Sequence, residues 1–333
     1  MKKINQKQNN DDQNIDLTLR PTAWDEYIGQ EKIKNNLKVI LDAAKKRNEA
    51  ADHLLFSGPA GLGKTTLAYL VARELGGLIK TTSGPAIEKA GDLAAVLTNL
   101  SPGEILFIDE AHRINPMIEE VLYPAMESRK LHLVVGKGPG ARTLSLDLPP
   151  FTLIAATTRE NLLSQPLRSR FGATLRLTFY SADDIKKILN RSAQIFNIKM
   201  SSEAVEILAR ASRGTPRIAN RLLKRARDFA EVRGINEINE EAARKTLEML
   251  EIDELGLEPQ DRRLLTTIIE KFNGGPVGIN TLTAALSEER GVIEDIYEPY
   301  LMTLGFIQRS ASGRIVLPPA YEHLRIKNKG ELL

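Results

Sequence analysis

Residues 53–75 read HLLFSGPAGLGKTTLAYLVAREL, and this stretch decides the fold. It joins a short apolar run, a glycine-rich loop and a helical stripe without a break. The loop, GPAGLGKT at 58–65, satisfies G-x-x-x-x-G-K-[ST]. Four constrained positions coincide by chance in roughly one chain of this length in a hundred. A strand before the loop and a helix after it make coincidence rarer still. The residue types follow from the chemistry of a phosphate cradle. Gly61 and Gly63 let backbone N–H groups approach phosphate oxygens, and the helix N-terminus adds positive potential. Lys64 reaches the β- and γ-phosphates, the Thr65 hydroxyl ligates Mg²⁺, and Thr66 follows in the first helical turn. The ligand expected here is ATP or ADP with Mg²⁺.

The same alternation continues downstream. Apolar runs recur at LIKTT (78–82), EILFID (104–109) and FTLIAATT (151–158), each followed by a segment of helical period. This predicts an α/β domain over 17–180, a parallel sheet with helices on both faces. EILFIDE ends in two carboxylates. Asp109 is expected to hold Mg²⁺ through water, and Glu110 to orient and deprotonate the attacking water. TLIAATT ends in hydroxyls, so Thr158 either bonds the γ-phosphate or its water, or simply closes a strand. At 131–148, Leu131, Leu133 and Val135 alternate, GKGPG follows, and Leu144, Leu146 and Leu148 alternate again. That is a β-hairpin insertion, whose apolar face either completes the core or meets a partner. The arginines of PLRSRF (166–171) and GTPR (214–217) carry no phosphate signature in their spacing alone.

From Ser181 the strands stop. Stripes at Ile185, Ile188, Leu189 and Ser192, at Ala204, Ile207, Leu208 and Ala211, and at Ile218, Leu222, Ala226 and Phe229 predict a small helical lid over 181–252. EIDELGLEP (251–259) reads as a linker. Residues 253–333 then read as three helices and a hairpin, a winged-helix pattern. Its third helix carries Glu294, Asp295 and Glu298, which phosphates would repel, so it makes a poor base reader. Arg309 and Arg314 flank the polar tip SASG, where a wing would grip a phosphate backbone; the other reading is a solvated hairpin with stray arginines. Arg290, before the helix, is a weaker candidate.

Composition bounds these readings. A chain of 333 residues with 42% hydrophobic content supports two or three cored domains. With no cysteine, disulfides and thiolate metal sites are excluded, and the four histidines (His53, His112, His132, His323) lack metal-ligand spacing. The polar start MKKINQKQNNDDQNID (1–16) has no apolar segment and is expected to be a disordered arm. No apolar run approaches the ~20 residues of a membrane span. A cytoplasmic location is expected. A net charge of +3 says little about partners.

Taken together, GPAGLGKTT, TTSGP, EKAGDLAA, FIDEAHR, EEVLYPAME, DLPPFTLIAATTR and RGTPRIANRLL resemble the RuvB family of bacterial Holliday-junction branch-migration motors, from about Leu17 to about Arg325. The resemblance implies an AAA+ domain, a helical lid and a winged-helix head. It also implies a homohexamer on duplex DNA, driven by ATP hydrolysis, loaded by RuvA through the 131–148 hairpin and joined by the resolvase RuvC. Carried over, Leu19 and Arg20 lie near the adenine and Tyr180 is the aromatic at the hinge. Arg170 is the arginine finger for the neighbouring subunit, and Arg217 is the second sensor. Glu127, Ser128 and Arg129 fall at a contact across the subunit interface, where the family more often has Glu-Asp-aromatic. Ala60 and Ala111 stand where the family has Pro and Ile, and neither change removes a reacting group. Two other classes compete. A protein-remodelling motor typically carries an aromatic-Gly pore loop, and TTSGPAIEKAG (81–91) has no aromatic. A nucleotide-switched transcription regulator would read bases, which the acidic third helix disfavours.

Overall fold

The structure is a computed structural model describing residues 17–135 and 142–327. The arm at 1–16 and the GKGPG tip of the hairpin lie outside the described residues. Arg20–Thr178 form one compact unit. The described residues from Phe179 onward form a second, which also takes in Leu19.

The first unit contains strands β1 (Leu54–Ser57), β2 (Ile79–Ser83), β3 (Ile105–Asp109), β4 (Lys130–Val135), β5 (Arg142–Asp147), β6 (Thr152–Thr157) and β7 (Ala173–Arg176). Five of them make a sheet in the order β2-β3-β6-β1-β7, parallel at every pairing. Strands β1 and β6 are buried along their whole length, which explains why they read as unbroken apolar runs. β7 has no counterpart in the sequence reading. It is an edge strand whose one buried residue is Leu175, too short and too polar to show a strand period.

His53, at the foot of β1, bridges two neighbours: its ring accepts from the Leu153 N–H at 2.9 Å and lies 3.2 Å from the Met126 carbonyl. Burial is the largest influence on the ring and lowers its pKa from the ordinary 6.5. The sign follows directly. Below 6.5 the unfolded chain takes up a proton that the folded chain resists, so stability is lost as pH falls through that value. Urea midpoints between neutral pH and about pH 5.5 are expected to drop less steeply in His53→Gln than in the parent.

The hairpin pairs Leu131 with Leu146 and Leu133 with Leu144. The two readings of it divide along its length. Leu131 and Leu148 are buried in the domain core, with Leu133 and Leu146 packed against it. Leu144, further out, is 47% exposed.

In the second unit the lid is built from the helices Ala182–Ile195, Ser202–Ala211, Pro216–Arg233 and Glu240–Met249. Ser181, Ser201 and Asn239 cap three of them, each accepting a bond from a first-turn N–H. The segment read as a linker is an ordered turn. Asp253 Oδ1 accepts from the N–H groups of Leu255 and Leu257, and His323 reaches the other oxygen at 2.9 Å. The head follows with helices Pro259–Phe272 and Ile279–Leu286, an irregular third helix over 290–303, and the wing β8 (Ile307–Ser310) and β9 (Gly313–Val316). A closing helix, Pro318–Leu324, completes its core.

Candidate nucleotide site and DNA-contacting wing

The parallel sheet sends the C-terminal ends of β1, β6 and β3 to one edge, and the phosphate loop, Asp109, Glu110 and Thr158 leave from there. Ser57 pairs with Thr157, and Asp109 with Ser83. Ligands of open α/β sheets bind outside this edge. Between Ser57 and Lys64 the chain turns through Gly63, at φ 99°, where a Cβ would lie 2.9 Å from the Tyr27 hydroxyl. Gly63 supplies no side-chain cap to the helix Lys64–Glu74, so the first-turn N–H groups keep their capacity for an anion. Lys64 is buried and donates to the Gly58 and Pro59 carbonyls at 2.6 and 2.8 Å, which holds its charge over the loop. Left-handed glycine, uncapped helix start and folded-back lysine together fit a nucleotide triphosphate.

The second half of the site is the turn after β3. Glu110 takes a left-handed conformation (φ 48°), uncommon for a residue with a Cβ, and its N–H donates to Asp109 Oδ1 at 2.9 Å. Arg113 reaches the Glu110 carboxylate at 3.0 Å. His112 Nδ1 lies 3.0 Å from Thr157 Oγ1, which also accepts from the Arg159 N–H. That bridge ties the Asp109-Glu110 turn to the end of β6, immediately before Thr158. In sequence, the signal for His112 and Arg113 is their place in DEAHR, directly after the paired carboxylates. Thr65 offers a hydroxyl and Asp109 a carboxylate, the oxygen donors a hard cation such as Mg²⁺ prefers. Among the described residues no cluster of three or more His, Asp or Glu would hold a metal alone.

A cleft of about 500 Å³ on the same unit brings together Asp52, His53, Glu127, Ser128, Arg129 and Arg170. Arg170 is held at three points. It donates to the Pro166 carbonyl at 2.6 Å, pairs with Glu127 at 2.9 Å and lies 4.3 Å from the centre of the Tyr123 ring. Its Nε, although buried, has no hydrogen-bond partner among the described residues. Nearer the N-terminus of the unit, Arg20 stacks on Tyr69 of the phosphate-loop helix at 4.4 Å.

The second unit holds the remaining candidates. Leu19 is buried and its carbonyl accepts from Arg191 at 2.9 Å. Tyr180 donates its N–H to the Gly214 carbonyl at 2.9 Å, joining the hinge aromatic to RGTPR, and Arg217 is the second residue of the helix that follows.

The wing arginines are paired within the head. Arg309 and Arg314 sit directly opposite each other in the hairpin, an arrangement that like charges disfavour. Glu298 of the third helix, 0% exposed, resolves it by accepting from Arg309 Nε at 2.5 Å and Arg314 Nε at 2.7 Å. Glu294 also takes Arg314 at 3.1 Å and Arg290 at 3.0 Å. Burial works against the ionised form of Glu294, but the two guanidiniums hold its carboxyl below the usual range. The acidic helix therefore does not face the phosphates as bare charge, and the arginines are not free. Arg314, 11% exposed, anchors the wing, while Arg309, 45% exposed, keeps an outward face. Glu298→Gln would take from Arg309 and Arg314 the carboxylate they share, leaving Glu294 as the remaining acidic partner of Arg314.

The fold and site define a P-loop ATPase of the AAA+ class, with a helical lid and a winged-helix head. Three family models match consecutive segments: the Holliday junction DNA helicase RuvB P-loop domain over 19–177, the RuvB AAA lid domain over 180–253 and the RuvB C-terminal winged helix domain over 254–325. The chain belongs to the RuvB family. It is 58% identical over 321 residues to the Holliday junction branch migration complex subunit RuvB of Chloroflexus aggregans, covering 96% of this chain and 92% of that one. The solved structure of the Thermotoga maritima RuvB Holliday junction branch migration motor matches at 48% identity with TM-score 0.87, covering 93% of this chain and 99% of that one.

Proposed function

We propose that this chain is an ATP-hydrolysing DNA motor that drives branch migration of Holliday junctions in recombination and repair. It works in the cytoplasm as a homohexamer on duplex DNA, with RuvA as loader and RuvC in the resolving complex. The observation that carries the reading is the shared sheet edge, where a complete phosphate loop and the Asp109-Glu110 pair meet in a chain alike end to end to a protein named for branch migration. Among the described residues no helix is long and apolar enough to cross a membrane. In this reading Mg²⁺ is held by Thr65 and, through water, by Asp109. Leu19, Arg20, Gly61, Gly63, Lys64, Thr65, Thr66 and Tyr180 bind nucleotide, with Glu127, Ser128 and Arg129 at the subunit contact. Glu110 activates water, Thr158 positions it, Arg170 acts on the neighbour's phosphates and Arg217 senses nucleotide state. DNA-stimulated ATP turnover, equal on unrelated duplexes, tests the class; turnover that follows one sequence would contradict it.

Two surfaces of this motor have separate tests. RuvA is read as docking on the outer part of the hairpin, so Leu144→Ser should abolish RuvA-dependent stimulation and leave basal turnover intact. Leu146 is a poorer probe because it packs on the core. Loss of basal turnover in Leu144→Ser would return the hairpin to a purely structural role. On the head, Arg309 contacts a phosphate without reading bases. Arg309→Ala should weaken binding equally on two duplexes and reduce the salt slope by roughly one unit. Arg314→Ala should instead lower head stability on the order of 2–3 kcal/mol, because it breaks a largely buried pair. An unchanged unfolding midpoint in Arg314→Ala would contradict that division of labour.

A further inference from the structure

RGTPR (213–217) carries two arginines four residues apart, Arg213 and Arg217. Arg213 is turned the opposite way in function: it is buried, and its guanidinium grips a residue of the head. Its two terminal nitrogens donate to the two oxygens of Asp261 at 2.9 and 3.3 Å. Asp261, 0% exposed, is in the first turn of the first head helix, and its Oδ2 also accepts from the Glu258 N–H. The guanidinium lies 4.7 Å from the centre of the Tyr300 ring, which belongs to the third head helix. The Tyr300 hydroxyl in turn donates to the Leu255 carbonyl at 2.7 Å. Close packing accompanies these bonds: a Cβ at Gly256 would lie 2.4 Å from the Ala211 carbonyl oxygen.

The arrangement is unusual for a joint between small domains, which are ordinarily polar and wet. Arg213 also adopts a left-handed backbone (φ 57°), and its carbonyl accepts from the Thr215 hydroxyl. The backbone that presents Arg213 to the head therefore runs directly into the turn that presents Arg217. Burial pushes the Asp261 carboxyl up from its usual range while the Arg213 charge pulls it down. Such a pair need not add stability over apolar residues of similar size. What it does provide is one fixed orientation, since a planar fork on a carboxylate admits little rotation.

We propose that Arg213, locked to Asp261 and Tyr300, is the positioning residue that transmits the state of Arg217 to the DNA-binding head. A shift of Arg217 moves a five-residue turn whose other end is fixed in the head, so lid and head respond together. The inference rests on the reading of Arg217 as nucleotide sensor and adds the path by which that signal reaches DNA.

The test is a coupling ratio: the affinity for a fixed duplex with a non-hydrolysable ATP analogue, divided by that with ADP. It is measured with the full chain, beside ATP turnover and base pairs migrated per ATP. Asp261→Asn and Arg213→Met should keep nucleotide binding and ATP turnover. The coupling ratio should fall at least roughly fivefold toward one, and migration per ATP should fall with it. Arg213→Lys, which keeps charge but loses the fork, should fall between. The double variant Arg213→Met with Asp261→Leu should recover part of the ratio, because an apolar pair restores a packed joint. A merely structural role would lower DNA affinity equally in both nucleotide states, and that outcome overturns the proposal. So does a parental ratio in the single variants, or a folded double variant with no recovery. If Asp261→Asn does not fold, Arg213→Lys and the double variant carry the same comparison. Arg217→Ala separates the underlying reading: unchanged turnover in that variant would defeat the sensor assignment, whereas the joint is judged by variants whose hydrolysis is intact.

Discussion

Glu110→Gln is expected to leave ATP bound and almost unhydrolysed. The amide keeps the size and most contacts of the carboxylate but cannot take a proton from water, and a positioned general base contributes ~10²–10⁴ in rate. Lys64→Ala acts earlier. It removes a side-chain charge folded over the phosphate loop, so nucleotide affinity itself should fall. The two effects separate when nucleotide binding and phosphate release are measured on the same preparations. Near-parental turnover in Glu110→Gln would mean that another group activates the water. The left-handed backbone at Glu110 sharpens the expectation, since strain of ~1–3 kcal/mol persists only where the surroundings hold it. Arg113 is part of that hold.

Arg170→Ala is expected to abolish turnover in a pure oligomer, by ~10³–10⁵, the range found for arginine fingers. Within its own chain Arg170 rests on Glu127, Tyr123 and the Pro166 carbonyl, with a buried Nε that finds no acceptor among the described residues. Mixing Arg170→Ala with Lys64→Ala subunits should restore part of the activity. At some interfaces an intact loop then meets an intact finger. Measuring phosphate release across mixing ratios checks this; strict absence of complementation would place Arg170 in its own subunit's chemistry or in folding.

Much of this architecture is legible in the amino-acid sequence alone. The central strands stand out because a parallel sheet covered on both faces must be apolar throughout, and the phosphate loop because its chemistry tolerates few residues. The features that stay hidden have physical causes as well. β7 presents one buried residue and shows no period. His112 acts through a bond to a residue 45 positions away, and the Arg213–Asp261 bond spans 48, separations that no local spacing encodes. The wing misleads for a related reason. Charge signs are visible in sequence, but pairing is not, so Glu294 and Glu298 read as repulsive when they are partners of the very arginines expected to bind DNA. The hairpin leucines form one apolar alternation in sequence, and only burial separates Leu131, in the core, from Leu144, further out and exposed.

The most direct test of the motor reading is branch migration of a synthetic four-way junction whose arms are homologous, followed by gel as duplex products appear. With ATP, Mg²⁺ and RuvA, the parent chain should convert the junction to products. Glu110→Gln and Arg170→Ala should each bind the junction and leave it in place. Omitting RuvA should slow conversion without changing its dependence on ATP. A parent chain that hydrolyses ATP in response to DNA yet never moves the junction, with RuvA present, would contradict the account.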